Sequence, residues 1–428
     1  MGFIKIIISS FSDAGSNLKD IWYVFSRVWF VVLPVPFYFF WKLLWLRYIR
    51  RKYIRSIPTV LLEITPPREI EMTPQPMELF FNGLAGVLKT FNPLEEYIQG
   101  VLTALFSLEL ASFEGKVNFY IRMPKAFRNL VEAHLYAQYP DIELTEVSDY
   151  IENIPKLVPN RDWDLWGTDF ELVKPDPYPI KTYKNFEESV TGEMIDPLSA
   201  ILEAMGKIGP GEQIWFQNVI RPVHEAWGAK MGKPHVDIFT GRAKKREGIF
   251  ANVGADVIDV LSSITKGFFG PVEFAAKKEE KAESPLEFRL TPVEKDVLKA
   301  LESNIGKYVY STKMRFLYLG KREVFDKAHV SSFVGSIKQF ADFNLNSFKP
   351  YENSKTIANY ILTKSRLRYR QRKIFRRYRD RDTDGAKFIL SSEELATVYH
   401  FPYKSVVAPS ITKAVSKRGQ APANLPVG

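Results

Sequence analysis

The sequence contains no cysteine. Disulfides, thiolate zinc sites and cysteine nucleophiles are therefore excluded, while the compartment stays open. Histidine is scarce. His134, His224, His235, His329 and His400 are scattered, and "HEAWG" at His224 lacks the second histidine of a zinc-protease helix. A phosphate-binding loop is also missing. The nearest text, "GAKMGKP" (Gly228–Pro234), has three residues between its glycines and a proline after the lysine. Such a loop needs four intervening residues and Ser/Thr after the lysine. "DWDLWGTDFEL" from Asp162 opens like a calcium loop, but Trp166 and Val173 occupy the fifth and twelfth places, where oxygen ligands are required. No Ser/His/Asp arrangement stands out. The expectation is a non-enzymatic protein with no cofactor and no metal.

What is present is apolar bulk and unevenly placed charge. Of the 428 residues, 46% are hydrophobic and 14% aromatic, enough for two or three domains with real cores. Net charge is +10, but it is concentrated in two runs. Lys364–Arg381 holds ten cations and one acid, and Lys42–Arg55 holds six cations and no acid. The remainder is mildly acidic. Cationic runs of this kind suit polyanions, whether lipid headgroups or nucleic acid.

Near the amino end, "IWYVFSRVWFVVLPVPFYFFW" (Ile21–Trp41) has 21 residues and one charge, Arg27. That length predicts a transmembrane helix, although Pro34 and Pro36 would each kink it. Trp22, Trp41 and Trp45 read as interfacial anchors, and Arg47, Arg50, Arg51, Lys52 and Arg55 as headgroup contacts. By the positive-inside rule, the bulk of the chain is expected at the cytoplasmic side of the inner membrane, on a single-pass anchor.

Beyond it, "TVLLEIT" reads as a strand and "PMELFFNGLAGVLKT" as a helix. "ALFSLELAS" and "KVNFYIR" alternate around "FEGK", a hairpin signal. A helix in "PKAFRNLVEAHLYAQYP" and the strand "DIELTEV" complete a β-α-β-β-α-β order. A similar order recurs less cleanly, with a capping-box start at Thr291 and Glu294. The predicted class is α+β: a transmembrane helix followed by two tandem ferredoxin-like units, the second with insertions. The expected divisions are an anchor at 1–58, a first unit at 59–150, and a second at 151–223 and 284–400. A flexible insertion falls at 224–283 and a linker at 401–428.

In the second basic run, Arg366, Arg368, Arg370 and Arg372 alternate, whereas Lys373, Arg376, Arg377, Arg379 and Arg381 shift towards helical spacing. No single face looks apolar, so the run reads as an extended or loop-like tract. It would bind phosphates, dock on an acidic surface, or lie solvated. An RNA-recognition sheet is the alternative, with Phe119 stacking a base, but "KVNFYIR" does not match that signature.

Six phrases carry a resemblance: "LLEITPPREIEMTPQPMELFFNGL", "FSLELASFEGKVNFYIRMP", "VEAHLYAQYPDIELTEVSDY", "DPLSAILEAMGKIGPGEQIWFQNVIRP", "FILSSEELATVYHFP" and "APANLPVG". Together, from about Val60 onward, they resemble the region preceding the motor domain in bacterial conjugative-transfer ATPases. These are the TraG-like coupling proteins of type IV secretion and their HerA/FtsK-like relatives. The last phrases would lead into the motor, but the sequence stops at Gly428. The resemblance implies a membrane-anchored accessory region that positions a hexameric ATPase supplied in cis or in trans. Lipids and the motor are then expected partners, with DNA as a further one and self-association into a homo-oligomer. The alternative remains a membrane-associated RNA- or lipid-binding protein.

Overall fold

The computed structural model describes residues 33–67, 70, 73–186, 195–224, 226–240 and 290–403. The chain divides into two compact units, one of residues 1–58 and 89–103, the other of residues 59–88 and 104–428.

In the smaller unit, helix α1 (Pro34–Ser56) runs from the end of the apolar stretch through the whole basic run. Pro34 and Pro36 sit at its first turn, where a missing N–H costs nothing, so they start the helix rather than kink it. The cations from Lys42 to Arg55 consequently lie on the same helix as the aromatics. No helix among the described residues is long and apolar enough to cross a membrane. The expected transmembrane anchor, and the inner-membrane placement built on it, are corrected accordingly. Trp22 and most of Ile21–Trp41 lie outside the described residues. The other expected headgroup residues, Trp41, Trp45, Arg47, Arg50, Arg51, Lys52 and Arg55, line α1. Two of them turn to the 89–103 segment. Trp45 donates its indole N–H to the Tyr97 carbonyl at 2.9 Å, and Arg50 pairs with Glu96 at 3.0 Å.

The larger unit is built on one antiparallel sheet of nine strands. They are β1 (Thr59–Thr65), β2 (Phe106–Phe113), β3 (Lys116–Pro124), β4 (Glu143–Val147), β5 (Trp163–Leu172), β6 (Glu212–Pro222), β7 (Val309–Lys321), β8 (Phe348–Pro350) and β9 (Phe388–Ser391). Their order is β4-β1-β3-β2-β6-β7-β5-β8, with β9 beside the start of β7. The expected fold, a transmembrane helix followed by two tandem ferredoxin-like units, is corrected to a single sheet shared by both halves. The β2 edge, free in an isolated unit, pairs with β6 along its whole length, from Phe106↔Ile220 to Phe113↔Gln213. That seam merges the two halves into one sheet. The β2–β3 hairpin closes through Glu114 and Gly115, both with positive φ, as a two-residue turn of this twist requires.

Alternation along the strands gives the sheet two buried faces. Residues such as Leu62, Leu108, Leu110, Phe119, Phe216 and Phe316 face one core. Five helices cover it: α2 (Gln75–Leu84), α3 (Arg128–Gln138), α4 (Ser199–Gly206), α7 (Lys327–Ile337) and α9 (Ser392–Val398). Helices α5 (Lys233–Phe239) and α6 (Pro292–Ile305) form a separate pair packed on each other. Thr291 caps α6 with Glu294 in the expected capping box. The remainder of the expected 224–283 insertion, from 241 on, lies outside the described residues, as do residues 404–428. The second face holds Leu61, Ala111, Tyr120, Leu165, Trp215, Leu317 and Leu319. Helix α8 (Thr363–Arg379) lies on this face, with the 150–158 segment beside it.

The α9 cap carries a pH prediction. Burial pushes the Glu394 carboxyl up to about 7 from an ordinary 4.5, although the Ser391 and Ile180 N–H groups donate to it. Between those values the folded state holds a proton that the unfolded chain has released, so stability falls as pH rises from about 4.5 to 7. Glu394→Gln removes that slope. Thermal unfolding of both proteins between pH 5 and 7 checks it, and parallel pH profiles would count against it.

Candidate functional site: a cationic helix braced by a buried polar row

The run read as a loop is a helix. The physical reason is that only one narrow stripe needs to be apolar. Gln371, Ile374, Phe375 and Tyr378 are its buried residues. At about 100° per residue they fall within one third of the circumference. Gln371 counts as buried because its amide donates to the Leu165 carbonyl at 2.7 Å and to Asp164 at 2.9 Å. Gly167 on β5 allows the approach: a Cβ there would meet Leu317 at 2.4 Å and Ile374 at 3.3 Å. Phe375 and Tyr378 pack on Trp215.

The other two thirds of the circumference is cationic. Lys364, Arg366, Arg368, Arg372 and Arg376 are exposed, and Arg370, Lys373, Arg377 and Arg379 half-buried. Arg370 donates to the carbonyls of Lys355 and Ile357 at 3.0 and 2.6 Å, and Arg366 to that of Asn359 at 3.0 Å. Main-chain carbonyls hold these two guanidiniums in place. Arg379 lies 3.7 Å from Asp380. Among the described residues, Lys364, Arg368, Arg372, Lys373, Arg376 and Arg377 form no salt bridge.

Two shallow grooves run along α8. One, of about 270 Å³, is lined by Asn353, Ser354, Arg366, Arg370, Lys373 and Arg377. On the opposite flank, Arg368 and Arg372 share a groove of about 360 Å³ with Arg161 and Arg322. Tyr369 lies between the flanks, 64% exposed. Arg161 and Arg322 had no sequence signal, because they come from the β4–β5 connection and the end of β7.

Arg381 leaves the surface set. It is 3% exposed and lies beneath the helix end, with φ +46°. Its guanidinium grips Glu109 on β2 at 2.9 and 3.1 Å and Asp149 at 3.1 Å. Glu109 begins a polar row across the sheet, made by register: Glu109↔Gln217, Gln217↔Arg315 and Arg315↔Asp169. Gln217 donates to Glu109 at 3.0 Å and accepts from Arg315 at 3.1 Å. Arg315 meets Asp169 at 2.8 Å, and Asp169 also meets Lys313 at 2.7 Å.

The row reaches up into the helix end. Arg315 donates to the carbonyls of Arg377 and Asp382 at 2.8 and 3.0 Å, and Lys313 to that of Ala386 at 2.8 Å. Tyr150 donates to Glu109 and meets the Tyr378 hydroxyl, each at 2.7 Å. Burial opposes ionisation of Glu109, but Arg381, Ser107 and Tyr150 hold its carboxyl below the usual range. Burial pushes the Tyr150 and Tyr378 hydroxyls well up. It also pushes the Lys313 ammonium down to about 8, against the pull of Asp169.

Residues 57–414 match a family described as a domain of unknown function (DUF8128). The chain belongs to that family. No curated protein matches it. The DUF8128 region takes in all nine strands, α8 and the polar row, whereas α1 precedes it.

Phe119, the expected base-stacking residue, is fully buried against Tyr399 and Phe401. The sheet therefore offers no stacking platform there. The most buried histidine, His400, has both ring nitrogens engaged, by Asp196 at 3.0 Å and the Ala396 carbonyl at 2.8 Å. No group of His, Asp or Glu that could hold a metal ion occurs among the described residues.

Proposed function

We propose that the protein binds a nucleic-acid backbone through the solvent face of α8 and does no covalent chemistry of its own. The observation that carries this is the helix. One stripe is fixed to the sheet, and the rest presents cations that, Arg379 apart, no acid among the described residues neutralises. A fold that wanted only a solvated helix gains nothing from unneutralised like charges at three- and four-residue spacings, which repel. Phosphates offset that repulsion, and each phosphate neutralised releases a counterion. The sequence resemblance to the region preceding conjugative motors supports an accessory role beside a DNA-translocating ATPase.

Affinity for DNA measured across a salt series tests this. The expected log–log slope is steep, and Arg368→Glu/Arg372→Glu/Arg376→Glu should flatten it by about 0.9 for each phosphate no longer neutralised. Binding that ignores salt, or survives the triple reversal, would sink the proposal.

A further inference from the structure

We propose that α8 lies in the major groove of B-form duplex DNA, with its two cationic flanks on opposite phosphate strands. This rests on the reading that α8 binds nucleic acid, and it names which kind. Angular position around the helix points to it. At about 100° per residue, Arg368, Arg372 and Arg379 fall on one flank of the helix, and Arg366, Arg370, Lys373 and Arg377 on the other, while Lys364 lies in line with the buried stripe in the first turn. Between them, opposite the buried stripe, lie Ser365, Tyr369 and Arg376. The solvent face therefore has a polar, lightly charged crest, with three cations down one side and four down the other.

A helix with its side chains is about 10–12 Å across, and the major groove of B-DNA is about 12 Å wide. A helix seated there meets one backbone on each side and base edges in the middle. The arrangement on α8 repeats that pattern. One backbone alone can occupy only one flank, leaving the cations of the other unmatched.

The surroundings agree. Arg366 and Arg370 are already oriented by the carbonyls of 355–359, so that flank loses little side-chain freedom on binding. The other flank is extended by Arg161, which shares its groove with Arg368 and Arg372, while Arg322 in the same groove is paired with Asp164 at 3.3 Å. The first two turns of α8 carry no buried residue, so they stand clear of the sheet. Duplex RNA is disfavoured, because its deep, narrow major groove does not admit a helix. A single strand, with bases stacked on Tyr369 and on the 93% exposed Tyr360, is the competing outcome.

The test uses the full chain with duplex DNA, duplex RNA and single-stranded DNA of one length at one salt concentration. Duplex DNA should bind at least about tenfold more tightly than either other form. Dimethyl sulfate should find guanine N7, which lies in the major groove, protected in the complex. Tyr369→Ala should weaken that protection while leaving the circular dichroism unchanged. Arg372→Ala and Lys373→Ala, one from each flank, should each lower the salt slope by about one. Equal binding of the three nucleic acids, or full N7 reactivity, overturns the groove placement but leaves the charge reading standing. Preference for the single strand or for RNA also overturns it. Binding to none of them removes both.

Discussion

Arg381→Met should destabilise the protein by about 3–5 kcal/mol, the cost of leaving a buried charge without its partner. The charge left behind is Glu109, which is fully buried and takes two of its hydrogen bonds from Arg381. Chemical denaturation of the variant measures the loss. Adding Glu109→Gln should recover part of it, because the orphaned carboxylate is then neutral, and a double-mutant cycle isolates the pair. DNA binding should weaken as well, since Arg381 fixes the chain immediately after α8. A change below about 1 kcal/mol would show that the pair contributes no more than an exposed ion pair.

Asp169→Asn should have a comparable effect through the opposite sign. Asp169 is the shared anion of Arg315 and Lys313, both about 1% exposed or less at the side chain. Its removal leaves two buried cations facing each other, again at about 3–5 kcal/mol. The pH dependence identifies the cause. In the native protein the Lys313 ammonium gives up its proton near pH 8, while in the unfolded chain it holds it to an ordinary 10.5. Over that window the unfolded state binds more protons, so stability rises with pH. In Asp169→Asn the pull that opposes burial is gone, so the rise should begin at lower pH and be larger. Lys313→Met should abolish it. Stability measured from pH 7 to 10 decides the matter, and identical profiles for the native protein and Lys313→Met would dismiss the assignment.

Local features of the fold were legible in the sequence where chemistry and spacing agree over a few residues. "FEGK" specified the β2–β3 hairpin, and Thr291 with Glu294 specified the start of α6. The seam between the halves was not legible, because nothing in "FSLELASF" distinguishes a free strand edge from one paired with "QIWFQNVI" a hundred residues later. Strand β8 has three residues, too few for any period to show. Helix α8 was missed for a physical reason. Its docking stripe includes a glutamine and a tyrosine, and the surface beneath is partly polar, so no apolar period announced it. Register alone explains why Glu109, Gln217, Arg315 and Asp169 stand in a row. Each is one polar residue in a strand with apolar neighbours, and nothing in a single strand shows that the face it points to is covered. At α1 the prolines were expected to kink a helix, when their place is its first turn.

The order of the strands also governs how the protein meets its own copies. Among the described residues the main strand order ends at β4 and β8, and an open edge is a template for adding another chain's strand. Here both are poor templates. β4 has five residues and presents Glu143 and Glu146 to solvent, and β8 has three residues with Lys349 exposed and Pro350 at its end. Charge, brevity and proline at these positions discourage edge-to-edge stacking. Joining the halves at β2 and β6 uses up the two edges that would otherwise have been long, flat and apolar, and so protects a strand-rich chain from polymerising through its sheet.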